Sequence, residues 1–202
     1  MKVIDIIFGL IAGRVVGFLL SDFLKTWEIN IGFYYNLVLW VALPLLSLFF
    51  LWLANLIGRK LLFVFQVAKF LLVGVFATVI DLKVFEFLTW FFVSALSKIP
   101  DGFAIGAIFT SSGLLLPKSF SFIAATVLKY LGNKYWTFQK QNKEGLNKEI
   151  TQFFIITLIG LMIDVISFYY FAKIMGPSFE IPSAVWIKLS VIFAGITAAL
   201  WN

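Results

Sequence analysis

Apolar residues run in long blocks along this chain, and short polar clusters separate them. The first block, Val3 to Leu24, ends at the turn Lys25 to Asn30. The second, about Gly32 to Ile57, closes on Gly58-Arg-Lys60, and the third spans about Lys69 to Leu96. Between them, Leu61 to Ala68 reads as an interfacial connection or an early extension of the third block. A fourth block, Lys118 to Trp136, leads into the polar stretch Gln139 to Glu149. The fifth covers Gln152 to Ala172, and the sixth starts near Ala184, beyond Gly176-Pro177 and Pro182, and is still apolar at Asn202. Apolar blocks of about 20 residues match the hydrocarbon thickness of a bilayer when helical. The pattern therefore predicts an all-α polytopic membrane protein with about six transmembrane helices. Ser97 to Pro117 is less regular. Its Pro100-Asp-Gly turn and Gly/Ser-rich stretch from Gly102 to Gly113 predict a loop dipping into the membrane face or a short interfacial helix.

Composition strengthens this reading. Of 202 residues, 62% are hydrophobic and only 13% are charged, and the mean hydropathy is +1.02. A soluble domain carries about a quarter charged residues. The chain has no cysteine and no histidine, which excludes disulfides, thiolate chemistry, Cys/His metal sites and the commonest acid–base side chain. The net charge of +6 is divided among separate loops and forms no single stripe, so nucleic acid is not an expected partner. No metal, cofactor or catalytic residue is expected.

Polar residues inside the blocks carry the chemistry. Gly9, Gly13 and Gly17 recur every four residues and mark one helix face where another backbone approaches closely. Arg14 lies beside that face near mid-span. It either snorkels or meets a carboxylate such as Asp5 or Asp22, or it offers a cation to a lipid phosphate. Pro44 predicts a kink whose freed carbonyl a neighbouring helix satisfies. Asp81, Lys83 and Glu86 sit deep in the third block, where each charge costs several kcal/mol unless paired or facing a polar cavity. Lys83 and Glu86 are spaced for an internal ion pair.

The chain also repeats. Lys69-Phe-Leu-Leu-Val-Gly-Val-Phe-Ala-Thr-Val-Ile-Asp81 aligns without a gap to Gln152-Phe-Phe-Ile-Ile-Thr-Leu-Ile-Gly-Leu-Met-Ile-Asp164. Phe120, Ile123 and Ala125 then align with Phe193, Ile196 and Ala198. Intramembrane carboxylates are rare, so an aspartate recurring in register carries more weight than any phenylalanine match. Each copy (69–138 and 152–202) holds two spans, which makes the internal repeat of the last four helices parallel. Asp81 and Asp164 either hydrogen-bond between helices or line a polar path.

Lysine and arginine placement predicts a cytoplasmic N-terminus. The inner segments would then hold Lys2, Arg59, Lys60, Lys69, Lys134, Lys140, Lys143 and Lys148. The outer ones would hold Lys25, Lys98, Lys118, Lys173 and Lys188. The exit of the fourth span, Asn133-Lys-Tyr-Trp-Thr-Phe138, reads as an aromatic and basic interfacial anchor.

Phe70-Leu-Leu-Val-Gly-Val-Phe-Ala-Thr-Val-Ile-Asp81, with Ser121-Phe-Ile-Ala-Ala and the closing Asn133-Lys-Tyr-Trp-Thr-Phe138, closely resembles the GtrA-like family of small membrane proteins. Ile159-Gly-Leu-Met-Ile-Asp164 and Leu200-Trp-Asn202 resemble its second half. The resemblance covers about residues 66–202 as a four-helix membrane domain. Residues 1–60 lie outside it as an added N-terminal helical pair. It implies a place in cell-surface polysaccharide synthesis at the plasma membrane, through translocation (flipping) of polyprenyl-phosphate-linked sugars. The alternative is a non-catalytic adaptor subunit for the glycosyltransferases that use them. It also leaves room for a glycosyltransferase partner and a homo-oligomer, alongside membrane lipid.

Such a substrate needs a greasy groove for its tail, cations for its phosphate and polar groups for its sugar. The Phe-rich spans, Lys129 with Lys134, and Asp81 with Asp164 are the respective candidates, joined by Asn133 and Arg14. An enzyme is the least expected class, because no water-facing carboxylate dyad or Gly-rich phosphate loop is visible. By the repeat register Asn202 corresponds to Lys129, short of a basic-aromatic exit. The native gene is therefore expected to continue by about ten residues carrying an aromatic residue and a Lys or Arg.

Overall fold

A computed structural model describes residues 1–29, 32–96, 114–139, 146–177 and 180–201. The Gly102 to Gly113 stretch and most of the polar loop after Gln139 lie outside these. The described residues form six α-helices: α1 (Val3–Thr26), α2 (Phe33–Gly58), α3 (Leu62–Leu96), α4 (Leu115–Gly132), α5 (Leu146–Tyr169) and α6 (Ser183–Trp201). Two widened π-helical turns extend α4 over Asn133–Thr137 and α5 over Tyr170–Met175. Five of the helices are long and apolar enough to cross a membrane. The exception is α4, whose 18 residues include Lys118 and Lys129. The chain is a polytopic all-α membrane protein, and Leu62 to Ala68 extends the third span.

The residues fall into two compact units, Met1–Val79 with Leu128–Asn142, and Ile80–Val127 with Lys143–Asn202. In the first unit, α1 and α2 pack through the glycine face. A Cβ on Gly13 would stand 2.5 Å from Pro44 Cα and 2.6 Å from the Leu43 carbonyl oxygen, so only glycine fits there. Gly9 lies against Leu48 and Leu51, and Gly17 against the Leu39 carbonyl.

Pro44 lacks the N–H that would bond the carbonyl of Trp40 one turn back. Arg14 supplies the missing donor: its guanidinium donates to the Trp40 carbonyl at 3.0 Å and lies 3.7 Å over the Trp40 ring. The expected carboxylate partners for Arg14, Asp5 and Asp22, are not the ones it finds here. Ser47 ties the same helix pair by donating to the Gly9 carbonyl. The unit's core gathers Leu51, Ala54, Ala68, Val73 and Trp136.

In the second unit, repeat-related residues meet each other. Extending the register by one turn pairs Phe85 with Phe168, and these rings touch edge to face with centroids 5.3 Å apart. Both are buried. One turn earlier, Asp81 and Asp164 share one lysine. Two equivalent contacts in the same chain direction mean that α3 and α5 run parallel here, as the repeat predicts. On α6, Val185, Trp186, Val191, Ala194 and Ala198 are buried. Trp186 donates from Nε1 to the Phe171 carbonyl in the widened turn at 2.8 Å. Gly176, at φ 64°, ends that turn in the left-handed region that glycine adopts without strain.

Candidate functional site

The second unit buries a three-residue charge cluster. Lys118 Nζ, fully shielded from solvent, lies 2.8 Å from Asp81 Oδ2 and 2.6 Å from Asp164 Oδ2. Ser121, one turn beyond Lys118, donates to Asp81 Oδ1 at 2.6 Å. Pro117 sits in the first turn of α4, where its missing N–H breaks no helical bond, and the next residue turns inward. Asp164 Oδ1 has no hydrogen-bond partner among the described residues. The α6 backbone closes the cluster at Gly195, where a Cβ would stand 3.7 Å from Asp81 Oδ2.

A second charged group lies just further along α3. Lys83 pairs with Glu86 at 2.7 Å, as its spacing predicts, and Lys188 from α6 reaches the other Glu86 oxygen at 3.0 Å. Glu86 and Lys188 border a cavity of about 370 Å³, with Thr89, Trp90 and Ser94 among its walls.

The first unit holds a second buried pair. Lys69 Nζ lies 2.5 Å from Asp5 Oδ1. Trp136 Nε1 donates to the same oxygen at 3.0 Å, and the Lys2 backbone N–H donates to Asp5 Oδ2 at 2.7 Å. Asp5 also stands in the first turn of α1, where the helix dipole favours a carboxylate. Both oxygens of this anion therefore have donors. Trp136 is buried and stacks on Phe8 with centroids 4.6 Å apart. The expected interfacial belt residue is a core residue instead, while Tyr135 and Phe138 are the exposed rings of that exit. Behind Trp136 opens an apolar groove of about 390 Å³, walled by Ile4, Phe8, Ile11, Leu72, Phe76 and Tyr135 among others.

The sequence candidates thus separate. Asp81 and Asp164 are brought together, around a lysine that sequence reasoning had placed at the outer end of the fourth span. Lys129 is half-buried, 5.7 Å from the centre of the Phe70 ring. Lys134 is buried and donates to the Tyr130 hydroxyl at 3.0 Å. Asn133 accepts from Thr137 at 3.2 Å, and Arg14 serves the Trp40 carbonyl. The pairing of Lys118 with the two aspartates and of Lys69 with Asp5 was missed. A signal existed for Lys118: two aspartates at depth require a cation, and few lysines adjoin an apolar run.

The family model for the GtrA/DPMS transmembrane domain matches residues 69–202. The chain belongs to this family. Comparison with curated proteins and with solved structures returns no match. The GtrA/DPMS match contains the whole Asp81–Lys118–Asp164 cluster. It also begins at Lys69, whose counter-ion Asp5 comes from α1, outside the matched region. The N-terminal helix therefore completes a buried ion pair whose other half belongs to the GtrA/DPMS domain.

Proposed function

We propose that this protein moves a polyprenyl-phosphate-linked sugar across the plasma membrane during cell-surface polysaccharide synthesis, making no covalent bond itself. The observation that carries this reading is the apolar groove of the first unit, in a chain of the GtrA/DPMS family. Its walls are aliphatic and aromatic, as an isoprenoid tail requires. Lys129 follows the groove residue Leu128 on α4 and is the cation offered to the phosphate. In this reading the N-terminus is cytoplasmic. Removing the buried Lys69, Lys134 and Lys118 from the loop charges still leaves the inner side richer in lysine and arginine.

A rival reading is an adaptor that holds a glycosyltransferase at the membrane. One observation favours it: Lys118 closes over Asp81 and Asp164 and leaves them as helix ties. Proteoliposomes containing the purified chain and a fluorescent short-chain polyprenyl-phosphate hexose separate the two. We expect accelerated transbilayer movement that Ala12→Trp, which fills the groove, suppresses. Movement at the rate of empty vesicles, restored only with a glycosyltransferase present, would establish the adaptor.

A further inference from the structure

We propose that the Asp81–Lys118–Asp164 cluster is a proton-binding site, holding one proton that exchanges with water. This inference is independent of the translocation reading, because it rests on charge and geometry alone. Two carboxyl groups face a single ammonium group in a fully buried, helix-lined setting. With both carboxyls ionised the cluster would carry one uncompensated negative charge. Isolated buried charges of that kind cost tens of kcal/mol in a dry medium, and groups placed there neutralise instead.

Among the described residues no other side chain supplies the missing positive charge. From α3 comes Asp81, from α4 Lys118 and Ser121, and from α5 Asp164, while α6 presents Gly195. The next charged groups, Lys83, Glu86 and Lys188, engage one another. Asp164 Oδ1, buried and without a hydrogen-bond partner among the described residues, is the oxygen left for a ligand.

A divalent metal ion does not fit that place. Hard divalent cations take about six oxygen ligands. Here Asp81 Oδ1 accepts from Ser121, and Asp81 Oδ2 and Asp164 Oδ2 face Lys118, so one carboxyl oxygen remains. A proton needs only one. Its binding converts one carboxylate to a carboxylic acid, takes the proton from hydronium with release of water, and leaves the other carboxylate to balance Lys118.

Infrared spectroscopy of the full chain in lipid bilayers tests this without a transport assay. At neutral pH we expect a deuterium-sensitive carbonyl band of a protonated carboxylic acid, shifted by ¹³C-labelling of the aspartate carboxyls. Either Asp81→Asn or Asp164→Asn should abolish it, because the remaining carboxylate then balances Lys118. Lys118→Gln should raise its intensity about twofold, since both carboxyls must then be neutral. The labelled wild-type band stands as a test even where a variant fails to fold. Its absence at neutral pH overturns the proposal, as does a band that persists unchanged in both aspartate variants. A band that appears only when sodium is replaced by choline assigns the site to sodium and also overturns it.

Discussion

Each of the two units buries a lysine against aspartate, and the two clusters differ in charge balance. In the first unit Lys69 meets one carboxylate, Asp5, which also receives the Trp136 ring N–H and a backbone N–H. In the second, Lys118 meets two carboxylates, and one oxygen of Asp164 receives no hydrogen bond among the described residues. The first arrangement is a closed ion pair of the kind that fixes how helices dock. The second is closed only when a further positive charge is supplied. Burial alone would rank them as equals, and counting charges and donors separates them.

Removing the lysines should sharpen that contrast most. Lys118→Met takes the cation from two buried aspartates, which must then both be protonated with only Ser121 as donor, and we expect a loss of about 5 kcal/mol. Lys69→Met leaves Asp5 with two donors and a favourable helix end, so about 3 kcal/mol is expected. Unfolding in mixed detergent micelles measures both, and equal losses would erase the distinction. Next in size is Gly13→Ala, whose added methyl meets the Pro44 backbone. We expect about 1–3 kcal/mol from overpacking, read by the same unfolding assay. A smaller effect is expected for Arg14→Met, which strands the Trp40 carbonyl for about 1 kcal/mol. A loss of translocation with unchanged stability would instead make Arg14 a substrate contact.

Much of this was legible in the sequence because it depends on local periodicity. Block length fixed the helices, four-residue spacing placed Gly9, Gly13 and Gly17 on the docking face, and three-residue spacing paired Lys83 with Glu86. The repeat register brought Asp81 and Asp164 to equivalent places. What escaped depends on which way a side chain turns at a given depth. Lys118 and Lys69 stand at the ends of apolar blocks, where an inward lysine and a snorkelling one have identical neighbours in sequence. Trp136 was read as a belt residue for the same reason, since its hydrogen-bond acceptor lies 131 residues away. Arg14 found the carbonyl freed by Pro44, a partner that neither residue announces alone.

The charge balance of the two clusters is tested most directly by measuring the stability of Asp5→Asn and Asp164→Asn side by side in the same lipid–detergent mixture. Both substitutions keep the shape of the side chain and remove one potential negative charge. We expect Asp5→Asn to cost about 3–5 kcal/mol, because it leaves Lys69 buried without a counter-ion. We expect Asp164→Asn to change stability by less than about 1 kcal/mol, because Asp81 still balances Lys118. A loss at Asp164 equal to or larger than that at Asp5 would contradict the reading of the two clusters.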